Sequence, residues 1–271
     1  MKIIWGYFTL VLSVGTKALY KSPSRDTSPS LLSHSLSHSS RSDTTWLSLP
    51  SSGLYSTAGF GGSTNPSGSD TTYVGNVGRP YGSNILEVSS SEASQYEYVV
   101  QFVGPNTDGW KVVIWNTGGR DGGRNGWYGN ACKSFTLAAG QVKYIAFAAD
   151  SQGGWAAAKA SSIPTDQKGG YASTWGEFNL GTTENSGWSG FDVSMIQAQN
   201  AKLEVQGMKI CSLLSTKICS YITEGATVIH NAYTSAETDM GGNWGKLVPR
   251  ASAPGCQHWL RQLGHGLAAR S

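Results

Sequence analysis

Short runs of β-branched and aromatic residues, each closed by Gly, Asn, Pro or Ser, recur along the middle of the chain at residues 85–88, 96–103, 112–115, 135–137 and 142–148. Runs of this length are too short for amphipathic helices and predict β-strands. Residues 175–180, 203–206 and 217–223 continue the series. Short strands with turn signals between them predict an all-β fold, an antiparallel β-sandwich. Two stretches within the series read differently. Residues 150–155 (DSQGGW) are expected to be a glycine turn that ends a strand. Asp192 could instead cap a short helix through Ile196, because Asp accepts backbone N–H bonds at a helix start.

The flanks follow other patterns. Met1-Lys2 precedes an apolar run over residues 3–14, and small residues follow, with Gly15 or Ala18 as cleavage points. Residues 1–18 therefore read as a secretory signal, since such a run is short for a bilayer span. No other segment is expected to enter a membrane. Residues 19–72 are dominated by Ser and are expected to be a disordered linker, too poor in apolar surface to offset the entropy of ordering. The β domain is expected over 73–242. The tail, 243–271, holds four basic residues and no acid, and has no alternating pattern.

Composition sharpens this picture. Thirty-five glycines and ten tryptophans with only 14% charged residues suit turn-rich β structure. The formal charge of +3 belongs to the ends, because residues 84–242 carry 14 acids and 10 basic residues, a net −4. That excludes a nucleic-acid footprint on the domain. Of four cysteines, Cys211 and Cys219 flank a short polar turn and are expected to close a hairpin disulfide in an oxidising compartment. Cys132 and Cys256 have no required pairing.

Candidate chemistry centres on Glu177 and Asp192, two acids beside aromatic residues in predicted strands. Such a pair could protonate a glycosidic oxygen and activate water, or could be structural acids. Six tryptophans, Trp110, Trp115, Trp127, Trp155, Trp175 and Trp188, offer faces for sugar rings, and half or more of them should be core. Trp127, Tyr128 and Trp188 lie in Gly/Asn/Ser loops and are the expected exposed contacts. No metal or cofactor is expected. His34 and His38 sit four apart in a Ser-rich context, and the glycine-rich loop 118–126 lacks the acids of a calcium loop. A serine or cysteine hydrolase is disfavoured, with one histidine, His230, in the β domain and no nucleophile elbow.

Long consecutive stretches carry a resemblance. Residues 73–88 (YVGNVGRPYGSNILEV), 121–130, 150–157, 169–178 (GGYASTWGEF), 184–194 (ENSGWSGFDVS) and 205–211 (VQGMKIC) resemble the secreted fungal allergen family typified by Aspergillus allergen four. The resemblance implies an extracellular protein bound by human IgE, with a native activity left open. The tail departs from the family's Gly/Pro-rich apolar ending, and its expected origin is a shifted reading frame or misplaced splice junction. A fainter resemblance follows the order FTLAAGQ (135–141), WGEFNL (175–180), FDVSMI (191–196) and QGM (206–208) in thaumatin-like proteins. Those are β-sandwiches with an acidic cleft, some of which bind or weakly cleave β-1,3-glucan. The resemblance puts the cleft glutamate on Glu177 and the first aspartate on Asp192. The second aspartate falls on Gln197, and Lys159 lies near the place of the cleft arginine. The family's dense disulfides are absent. Cell-wall glycan binding is thus the leading expectation, with a weak endo-β-glucanase and a structural wall protein as alternatives.

Overall fold

The computed structural model describes residues 9–14, 45–69, 72–105, 107–159, 161–212, 219–235 and 245–247. The strands are β1 (Thr9–Val14), β2 (Ile85–Val88), β3 (Tyr98–Val103), β4 (Trp110–Asn116), β5 (Lys133–Leu137), β6 (Val142–Phe147) and β7 (Ser151–Ala158). They continue with β8 (Trp175–Leu180), β9 (Ser189–Ser194), β10 (Met208–Ser212), β11 (Cys219–Ile222), β12 (Ile229–His230), β13 (Ala232–Tyr233) and β14 (Gly245–Leu247). Among the described residues two short α-helices, α1 (Ser90–Ala93) and α2 (Ile196–Asn200), interrupt them. The fold is all-β.

One sheet has the order β12-β11-β10-β1-β3-β6-β2 and the other β13-β9-β8-β7-β4-β5, with β14 also paired to β9. Pairing is antiparallel except for β1 with β10 and β13 with β9. Phe102, Ile145 and Ile210 of the first sheet join Ile114, Trp155 and Phe178 of the second in one buried cluster. Side chains alternate across a sheet, so the intervening residues of the second sheet point the other way. There Val113, Trp115, Ala156 and Trp175 form another cluster with Ile163 and Tyr171. A sheet covered on both faces reads as continuous apolar runs, which is why its strands lack clean polar alternation.

Three expectations change. Residues 150–155 do not make a glycine turn, because β7 starts at Ser151 and is buried throughout. The reversal falls at Asp150, whose φ of 64° is tolerated by a short polar side chain. Its carboxylate accepts hydrogen bonds from the Tyr73 hydroxyl and from the Thr183 N–H and hydroxyl. Residues 203–206 form no strand, and Leu203 is exposed. Asp192 caps no helix. It lies inside β9, and α2 starts after Met195 without a side-chain cap.

Trp46 and Phe60, from the stretch expected to be a Ser-rich linker, pack on the first sheet. Trp46 is buried against Val99, Ala146 and Tyr144, its ring edge-on to Tyr144 at 5.4 Å. One tryptophan supplies the apolar burial that the serines around it lack. Residues 9–14, from the apolar run read as a signal, form β1 in the middle of the first sheet. Residues 245–247, from the tail, pair with β9. His34, His38, Cys256, His258 and His265 lie outside the described residues. No helix among the described residues is long and apolar enough to cross a membrane.

The hairpin disulfide is present. Cys211 and Cys219 are directly opposed on β10 and β11 with Cα atoms 4.1 Å apart. Replacing both by Ser is expected to cost about 2 kcal/mol, the chain entropy of so short a closed loop. Urea unfolding of the two proteins measures it, and equal midpoints would show that the bridge adds nothing. Cys132 is a half-buried free thiol that accepts a hydrogen bond from the Asn116 side chain. Burial raises its pKa, so this thiol is a poor nucleophile.

Candidate functional site

The two candidate acids meet. Glu177 on β8 and Asp192 on β9 are direct cross-strand partners, although 15 positions separate them in the chain. The register extends the row to Gly154 on β7 and Trp115 on β4. Opposed residues project to one face of a sheet, here the face away from the main core. Gly154 admits the Trp115 indole, since a Cβ there would lie 2.8 Å from Trp115 Cζ2. The next row holds Trp175, two residues before Glu177, and the row beyond the pair holds Gln152 and Asn179.

The pair is sealed. Glu177 is 8% exposed and Asp192 is 0% exposed. No lysine or arginine among the described residues makes an ion pair with either acid. Neither oxygen of Asp192 has a well-formed hydrogen-bond partner, and the Glu177 carboxyl opposite is the polar group that acts on it. Burial therefore dominates both acids. It pushes Glu177 up to about 7, an effect partly offset by the interaction with Asp192. Burial, reinforced by the charge of Glu177, pushes Asp192 well above the usual carboxylate range. Two like charges this close in a dry site cannot both form easily, so the pair holds at least one proton at neutral pH.

This geometry constrains the chemistry. Cross-strand Cβ atoms lie about 4.5–5.5 Å apart, closer than the roughly 6.5–9.5 Å carboxyl separation of inverting glycosidases. A retaining geometry would fit the spacing, with both acids buried. Gln197 lies on α2, and Lys159 is within 3.4 Å of Asp108 and 3.8 Å of Glu224.

The aromatic candidates sort cleanly. Trp110, Trp115, Trp155 and Trp175 are buried, whereas Trp127 and Trp188 are partly exposed. Tyr128 is 38% exposed and sits beside Trp127, with ring centroids 5.5 Å apart. Trp127 in turn rests 6.2 Å from Trp175. A chain of contacts thus runs from the exposed Tyr128 through Trp127 and Trp175 to the strand position beside Glu177. Trp188 lies at the far end of the β8–β9 hairpin, four residues before Asp192. Sequence reasoning missed Gly154, which shares the row of the pair and seats the Trp115 indole beside it. The alternation within WGEFNL already puts Trp175 on the same face as Glu177.

The chain is similar to known proteins over this region. The profile of the Allergen Asp f 4-like domain matches residues 83–253. Allergen Asp f 4 of Aspergillus fumigatus is 53% identical over 204 residues, which cover 75% of this chain and 63% of that relative. The chain therefore spans less than two thirds of the relative's length. No solved structure matches.

Proposed function

This chain belongs to the Asp f 4-like allergen family, and from that premise we propose that its native role is to bind a cell-wall glycan such as β-1,3-glucan. The observation that carries the reading is the exposed aromatic surface of Tyr128 with Trp127, backed by the buried Trp175. Rigid rings seated on a packed sheet stack against sugars at little entropic cost. Trp188 offers a second ring at the hairpin end. The acids are buried on that face of the second sheet, and their burial favours binding over the endo-β-glucanase alternative. Two sheets sharing one core support a thaumatin-like sandwich. The protein is secreted, in keeping with its family and its disulfide. Recognition by host IgE is the property expected of an allergen.

A pulldown on insoluble β-1,3-glucan, chitin and cellulose tests the reading. Tyr128→Ala and Trp188→Ala should each weaken retention on glucan about 3- to 10-fold, the worth of one stacking contact. Lys168→Ala, an exposed substitution, should bind as wild type. Equal retention of all four proteins, or retention on none of the polymers, would sink the proposal. Soluble sugar released by wild type but not by Glu177→Gln would replace it with the enzyme reading.

A further inference from the structure

The first sheet is continuous only through β1. β3 takes β6 on one side and β10 takes β11 on the other, while β3 and β10 do not pair with each other. They are joined by residues 9–14, antiparallel to β3 from Thr9↔Val103 to Val14↔Tyr98 and parallel to β10 from Thr9↔Lys209 to Leu12↔Ser212. Without that strand the sheet divides into β2-β6-β3 and β10-β11-β12. The opening would be about two strand spacings, or roughly 9.6 Å. It would leave two rows of backbone N–H and C=O groups unpaired. It would also lie over Val100, Phe102 and Ile210, all fully buried members of the main core.

We infer that the domain carries a strand-acceptor slot between β3 and β10, whose occupant is the segment TLVLSV at residues 9–14. The slot selects its occupant by backbone pairing and by register. Six consecutive positions are matched on β3 and four on β10, and Leu10 falls opposite both Phe102 and Ile210. A run rich in Val and Leu suits a strand buried at the centre of a sheet. The same apolar run has the composition of a secretory signal. The two roles compete for one segment, and a chain from which it has been cut exposes a slot that takes the segment back as a separate peptide.

Hydrogen exchange followed by mass spectrometry on the full chain tests this. In the wild-type protein, amides of β3 and β10 should exchange as slowly as those of β6. Leu12→Pro removes a ladder donor in the middle of β1 and should speed exchange in β3 and β10 on the order of 100-fold, with β7 and β8 unchanged. A synthetic peptide of residues 7–16 should then restore protection at one peptide per chain. Fast exchange of β3 and β10 in the wild-type chain that retains residues 9–14 would overturn the inference with no variant needed. So would unchanged protection in Leu12→Pro. If the purified protein starts beyond residue 14, the peptide is added to that protein directly, and failure to bind it overturns the slot.

Discussion

Near pH 8, Glu177→Gln is expected to melt above the wild-type chain by roughly 6–12 °C, and the advantage should vanish near pH 4. The sign follows from the buried pair. Glu177 is raised from its ordinary value of 4.5 to about 7, so the folded state holds a proton that the unfolded chain releases. A group raised in this way leaves stability intact below pH 4.5. It withdraws stability as the pH climbs from 4.5 to about 7, and the loss is constant above that. A shift of this size amounts to on the order of 3 kcal/mol. Glutamine keeps the shape and stays neutral, so it escapes the loss. Asp192→Asn should act in the same direction, since Asp192 is raised from an ordinary value of 3.8 and its withdrawal begins at lower pH. Thermal melts of the three proteins across pH 4–8 decide it. A wild-type melting temperature that stays flat over this range, or a glutamine variant less stable at its upper end, would show that the pair is not dry.

Trp155→Ala is expected to destabilise the domain by about 3–5 kcal/mol. Trp155 is fully buried in β7, stacked on Phe178 with ring centroids 5.6 Å apart and edge-on to Phe102 at 5.5 Å. It bridges the two sheets. Its indole also lies directly over Gly176 of β8, where an added Cβ would come within 2.2 Å of Trp155 Cε2 and Nε1. Neither atom is the end of a flexible chain, so Gly176→Ala should be strongly destabilising by overpacking. The two changes are coupled. Once the indole is gone, a methyl at position 176 enters the space it left. The double variant should therefore be less destabilised than the sum of the singles by about 1 kcal/mol or more. Urea denaturation of the four proteins gives the cycle, and strict additivity would show that the indole and Gly176 do not share space.

Much of the sheet structure could be read from the chain because strand formation is local. The runs at 85–88, 142–148 and 175–180 became β2, β6 and β8 with small shifts, since β-branched and aromatic residues between turn formers leave few other conformations. Cys211 and Cys219 were legible for the same reason, as a short turn forces its flanking residues to face each other. Loop composition also separated Trp127 and Trp188 from the buried tryptophans. The errors fell where local signals point the wrong way. Gly153 and Gly154 mimic a turn, yet they serve in β7 because Trp115 leaves no room for a side chain over Gly154. Trp46 was lost among serines because one ring, packed against Tyr144, outweighs the composition around it.

By itself the sequence determined the class of fold, the hairpin disulfide, and the choice of Glu177 and Asp192 as the acids of interest. It could not determine that these acids oppose each other or that they are dry. Opposition depends on the register of β8 against β9, set by a whole face of packed side chains. Dryness depends on the packing around the row, whose member Trp115 lies 62 positions before Glu177 and reaches it only through β4 and β7. Burial is a property of the neighbours that a fold assembles. The same two carboxyls that read as a cleft in the sequence therefore become, in three dimensions, a proton-holding pair beneath an aromatic surface.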